Sequence, residues 1–138
     1  MNVIIVERLL KLYEPWRYLG CRQPLTLDML ARVKPVSEYL DPMKREGPDM
    51  CGLPGWRWHA GRVRHLYERI LGGWEPDPIE IDNVCSGGAV YPIPIVEDGH
   101  HRLIAAGLAA RPSIQATYGG RVDLLNYLTG KTNRCPQC

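Results

Sequence analysis

Residues 96–106 read VEDGHHRLIAA. The apolar run YPIPIV at 91–96 ends in Asp98-Gly99, and an alanine-rich run follows at once. That order predicts a strand, a glycine turn and then a helix of small residues that can pack closely on a sheet. A helix start leaves several backbone N–H groups without intrahelical acceptors, and the helix dipole adds positive potential there. Gly99 carries no side chain to block an approach, and His100, His101 and Arg102 add donors beside it, so a phosphate group is one natural ligand for this turn. An Asp-Gly turn capping a helix, followed by solvated polar residues, explains the same letters. Both readings stand at this level.

Outward from the turn the pattern continues on both sides. Pro92 and Pro94 are two apart, so their missing N–H groups fall on one side of the strand expected over 91–96, which must be an edge there. Downstream, Arg111-Pro112 breaks the alanine-rich helix, SIQATY at 113–118 alternates as a third strand, and RVDLLNYLTG at 121–130 predicts a short helix closed by Gly130. Upstream, Ile79 and Ile81 alternate with Glu80 and Asp82 as a half-buried strand. Before it, GRVRHLYERILGG at 61–73 predicts a helix with an apolar stripe of Val63, Leu66, Tyr67 and Ile70. Arg62, His65 and Arg69 fall on an adjacent face at i, i+3 and i+7. From residue 60 the expected order is helix, strand, strand, helix, strand, helix. The beginning of the chain is less decided. Residues 3–13 lean towards helix, although Val3 to Val6 would suit a strand, and Thr26 is placed to cap a helix from Leu27 to Val33. Residues 41–54, rich in proline, glycine and charge, read as a surface loop. The whole is expected to be α+β, a small mixed sheet flanked by helices.

A chain of 138 residues with 45% apolar and 23% charged content is expected to form one domain around a real core. No apolar stretch is long enough to cross a bilayer and MNVIIVERLL lacks a basic leader, so a cytoplasmic protein with no membrane partner is expected. The formal charge of +2 is too small for binding nucleic acid simply as a polycation, but thirteen of the seventeen basic residues are arginine, whose planar fork suits phosphate and carboxylate oxygens. Five cysteines do not read as a disulfide framework, and most are expected to be reduced. Cys135 and Cys138 form a Cys-x-x-Cys pair that supplies at most half of a zinc site, with Cys21 and Cys51 as distant candidates for the rest.

DGHHRLIAA after a short strand resembles the signature of the ParB/sulfiredoxin-like superfamily. RVRHLYERI, PIEI, GHHR, SIQATY and DLLNYLTG follow in the order of that family's helix, strands, signature and closing helix. The likeness covers about residues 60 to 130 and leaves residues 1–59 as an N-terminal extension of unknown role. It implies a compact ParB/sulfiredoxin-like fold that binds a nucleoside di- or triphosphate, taken here with magnesium. The phosphates would lie on Gly99, His100, His101 and Arg102, with Arg62, His65 and Arg69 facing them where family members place a lysine and two hydroxyl residues. Having His65 and Arg69 in place of hydroxyls would make the pocket more cationic. Sulfiredoxin needs a nucleophilic cysteine immediately before its His-Arg pair, and His100 stands there, so this chain is not expected to be a sulfiredoxin. Cys85 reads as an inert small residue.

Asp98 and His101 are the candidate catalytic residues. Asp98 could fix a histidine tautomer, hold magnesium or act as a base, and it could equally be a turn residue; Glu97 should point the other way. GWRWH at 55–59 mixes indoles with cations and either packs on the core or closes over a nucleotide. Two functions are carried forward. The first is nucleotide binding with phosphoryl transfer or hydrolysis, driven by positioning and by charge neutralisation from Arg62, Arg69, His101 and Arg102. The second is a DNA-associated or protein-interaction module of a plasmid or phage, with the nucleotide as a switch or absent.

Overall fold

The computed structural model describes residues 1–37, 56–84 and 87–136. Among these residues ten elements follow one another: β1 (Asn2–Ile5), α1 (Val6–Leu12), α2 (Pro15–Tyr18), α3 (Leu27–Ala31), α4 (Trp56–Leu71), β2 (Ile79–Asp82), β3 (Val96–Asp98), α5 (His100–Leu108), β4 (Ser113–Gly119) and α6 (Val122–Thr129). The fold is α+β with a mixed sheet in the order β1-β4-β2-β3. β2 runs parallel to β4, with Ile79 opposite Ala116 and Ile81 opposite Tyr118, while β1 on β4 and β3 on β2 are antiparallel.

Alternation explains the strands. In β4, Ile114 and Ala116 are buried while Gln115 and Thr117 are exposed, and β2 buries Ile79 and Ile81 between exposed Glu80 and half-exposed Asp82. α5 buries Leu103, Ile104, Ala105 and Ala106, and α4 lies along it with Ala60, Val63, Leu66 and Ile70 buried. The small residues expected in α5 do bring helices close. A Cβ added at Gly107 would sit 2.8 Å from Leu10 Cδ1 of α1.

Three expectations change. Residues 3–13 are not one helix, because Asn2–Ile5 pairs with β4 and the helix begins only at Val6. Along 91–96 only Val96 joins the strand; residues 91–95 lie outside the strands, consistent with two prolines that cannot donate to a ladder. α4 starts at Trp56 rather than residue 61, which draws WRWH into the helix. Residues 1–37, expected as an extension of unknown role within the one domain, share its core, with Ile4, Val6, Leu9, Leu25, Met29 and Leu30 buried beside the later elements. Thr26 caps α3 as expected, its Oγ1 accepting the Met29 N–H at 3.3 Å.

The arginine content has a structural use. Arg64 Nη1 donates to the Val33 carbonyl at 2.6 Å, and Arg62 Nη1 to those of Val36 at 3.3 Å and Ser37 at 2.9 Å, so α4 grips the segment that crosses it. That segment passes so close that a Cβ at Gly61 would lie 2.7 Å from the Lys34 carbonyl oxygen. At the other end, Arg8 Nη1 donates to the Tyr127 and Thr132 carbonyls at 2.6 and 2.7 Å. A guanidinium can satisfy several carbonyls at a helix end at once, which is why arginine serves better than lysine in this role.

The cysteines also depart from expectation. Cys21 is a buried free thiol, raised above the usual range by burial, but Cys135 is disulfide-bonded and so offers no thiolate to a metal. Cys51, Cys85, Cys138 and the loop expected over 41–54 lie outside the described residues.

Candidate functional site

α5 begins where β3 ends, and Gly99 makes the junction. Its φ of 104° lies in the left-handed region, and a Cβ there would stand 2.4 Å from Ile79 Cγ2, so only glycine fits on both counts. No side chain caps α5 and no acidic residue lies in its first turn. A cleft of about 500 Å³ opens over this turn. Gly99, His100, His101 and Arg102 line it, together with Arg62, Leu66 and Arg69 of α4, Tyr18 and Leu19 from the end of α2, Trp74 and Asp77 after α4, and Glu97 and Asp98 of β3. The motif and the helix face that sequence reading set apart therefore border one space.

His65 does not. It is absent from the cleft wall, whereas Leu66 is present. At about 100° per residue, Leu66 and Arg69 lie within roughly 40° of Arg62 around the helix, and His65 lies about 60° to one side. The face turned to the cleft is i, i+4, i+7, with Leu66 between the two arginines along the helix.

The two histidines of the turn are held on opposite sides. His100 is 7% exposed; its Nε2 meets the Tyr13 hydroxyl at 2.8 Å, and its ring lies parallel to that of Tyr18 at 4.0 Å with 3° between planes. Burial pushes its pKa down to about 4 against the pull of Asp98 and the Val96 carbonyl, while burial first, then Tyr18 and Glu97, lift the Tyr13 phenol to about 12. His101 Nε2 lies 2.9 Å from His59 Nδ1, with Trp58 edge-on to both rings. Burial, then the neighbouring His59, Arg62, His100 and Arg102, push His101 to about 3. Both imidazoles are neutral near pH 7. They can offer hydrogen bonds to a ligand but no positive charge, and His101 is too weak a base to be a strong proton acceptor.

Arg102 is committed as well. Its Nη1 donates to the Asp77 and Pro78 carbonyls at 3.1 and 2.7 Å, and its Nη2 meets Asp98 Oδ2 at 3.0 Å. It ties the entry of β2 to the first turn of α5. Asp98 therefore pairs with Arg102 rather than orienting a histidine; Tyr13 and His59 contact the histidines instead. Glu97 does not turn away, because both it and Asp98 are exposed and line the cleft. Arg69 is exposed, and its guanidinium carbon sits 4.2 Å above the Trp74 ring. That arrangement leaves a flat cation at the rim.

The wall thus carries three guanidinium groups, Arg62, Arg69 and Arg102, and three carboxylates, Asp77, Glu97 and Asp98. With the histidines neutral and His65 outside, the pocket is not the strongly cationic one expected. Any preference for an anion is local, set by the amides of α5 and by Arg69 on the α4 side, since Arg62 Nη1 is given to the Val36 and Ser37 carbonyls. Trp56 and Trp58 do not close over this space: Trp58 is 7% exposed against the histidine pair, and Trp56 contacts the guanidiniums of Arg32 and Arg57. Among the described residues no three His, Cys, Asp or Glu side chains gather to hold a metal ion.

Tyr13, Tyr18, His59 and Trp74 are the members that sequence reading missed. His59 had a faint signal, one helical turn before Arg62 on α4. The tyrosines had none, because their contacts with His100 span more than eighty residues. Comparison with protein-family models, with curated proteins and with solved structures returned no match. Among the described residues no helix is long and apolar enough to cross a membrane.

Proposed function

We propose that this chain is a nucleoside-phosphate-binding domain of the ParB/sulfiredoxin-like type, with the phosphate seated on the first turn of α5. The observation that carries the reading is the cleft at that turn. An uncapped helix start, with no acidic residue in its first turn and with glycine at its N-cap, opens into a space that Arg69 borders on the α4 side and Asp77, Glu97 and Asp98 on the other. Helix-start amides and guanidinium forks are the donors that phosphate oxygens require.

The reaction class that goes with this reading is phosphoryl transfer or nucleotide hydrolysis. The chain's residues would contribute by holding and orienting the phosphate rather than by moving protons, because His100 and His101 are neutral and poorly basic and Asp98 is paired to Arg102. Magnesium would arrive with the nucleotide. Lacking a three-residue cluster among the described residues, the ion would rely on phosphate oxygens with a single carboxylate such as Asp98.

Calorimetric titration with ADP, ATP and CTP in the presence of magnesium tests the proposal. Arg69→Ala is the informative variant, since Arg102 also fastens the Asp77 and Pro78 carbonyls and its removal would disturb the fold. Micromolar binding that weakens about tenfold in Arg69→Ala is expected from loss of one charge-assisted contact. Salt-sensitive DNA binding without any nucleotide heat would move the assignment to a DNA-associated module.

A further inference from the structure

Tyr18 presents an unusual combination. It is 65% exposed, yet its inner face is fixed flat on His100, 4.0 Å away and 3° from parallel. His100 is itself immobilised, 7% exposed and joined to the Tyr13 hydroxyl at 2.8 Å. Exposed aromatic side chains ordinarily keep some rotational freedom, and ordering one costs conformational entropy. Here that ordering is already built in by a stack whose lower ring is locked from two sides. Because burial keeps the imidazole uncharged near pH 7, the lower ring brings no cation to the platform. Tyr18, 65% exposed and set in a fixed plane by that stack, lines the same cleft as Gly99 and Arg69. Trp74, under the Arg69 guanidinium, is a second aromatic surface on that wall.

We propose that Tyr18 is the platform on which the base of the ligand stacks, so that the cleft selects a planar aromatic ring joined to phosphate over a sugar phosphate or a bare polyphosphate. This rests on the nucleotide reading above and adds to it the residue that recognises the part of the ligand away from the phosphates. Stacking on tyrosine is tolerant of base identity because every base has a π face, so Tyr18 separates nucleotides from other phosphates without choosing among bases. The side chain belongs to the N-terminal part of the chain, which gives that part a role in binding as well as in the core.

The test compares ADP with inorganic tripolyphosphate, each with magnesium, on the full chain and on Tyr18→Ala and Tyr18→Phe. The exposed position makes both variants safe for folding, which their thermal transitions verify. ADP affinity should fall roughly tenfold or more in Tyr18→Ala and stay near the parent in Tyr18→Phe, while tripolyphosphate affinity is unchanged in all three. ADP binding that is equal in the parent and Tyr18→Ala overturns the platform and leaves the nucleotide reading standing. An equal loss of ADP and tripolyphosphate also overturns it, since Tyr18 would then act on the phosphate site. Absence of ADP binding to the parent chain removes the nucleotide reading and the platform together.

Discussion

The starts of α3 and α5 are built in opposite ways. α3 satisfies itself: Thr26, at an ordinary φ of −117°, turns its Oγ1 to the Met29 N–H, and Asp28 places a carboxylate in the first turn. The α6 start has no side-chain cap, but Asp123 in its first turn accepts the Leu124 N–H at 2.8 Å. α5 has neither device. A left-handed glycine, two neutral histidines and an arginine stand where α3 carries a hydroxyl and a carboxylate. A helix that supplies its own acceptor has less to offer an incoming anion, and one that withholds it keeps both donors and dipole turned outward. The contrast separates a helix start that serves the fold from one that is fit to serve a ligand.

The sharpest way to break the contrast is to make the N-cap of α5 ordinary. Gly99→Ala forces a Cβ into a backbone at φ 104° and to within 2.4 Å of Ile79 Cγ2. Strain and overpacking together should cost on the order of 3 kcal/mol, read as a lower urea midpoint. An unchanged midpoint would mean that the turn is not held as described.

Acid is the next lever, because α5 starts with two histidines whose pKa values burial lowers. In the unfolded chain His100 and His101 titrate near 6.5; in the folded chain they do so only at about 4 and about 3. Below 6.5 the unfolded state therefore binds more protons, so the stability present above that pH is lost as pH falls from 6.5 towards 4. Each histidine should remove about 1 kcal/mol per pH unit in that window. Urea midpoints at pH 7, 6 and 5 measure the slope, which should become shallower in His101→Gln.

Thr26→Ala has the smallest expected effect. Losing the α3 cap should cost about 1 kcal/mol and leave ligand affinity alone. A change in nucleotide binding in that variant would erase the distinction between the two helix starts.

Local chemistry made much of this legible in the sequence. The order of elements from α4 onward followed from alternation and helical spacing, and Gly99 announced the turn because few other residues accept its backbone. The spacing of Arg62 and Arg69 placed them on one face, and α4 does turn that face to the cleft. Failures arose where long-range contacts decide. β1 looked like the first turn of a helix because Val3 to Val6 suits either state, and pairing with β4 settled it. Pro92 and Pro94 stop residues 91–95 from extending the ladder that apolarity alone suggested. The high arginine content pointed to phosphate and carboxylate oxygens in general, whereas Arg8, Arg62, Arg64 and Arg102 donate to carbonyls brought to them by the fold. The stack of Tyr18 on His100 joins residues more than eighty apart, a pairing that no local pattern encodes.

The central claim, that phosphate rests on the start of α5, is tested most directly by following backbone amide resonances during titration with ADP and magnesium. The account predicts saturable shifts concentrated on Gly99, His100, His101 and Arg102, with the amides of α3 unmoved. Shifts that spare those four residues, or that appear equally at the start of α3, would contradict it.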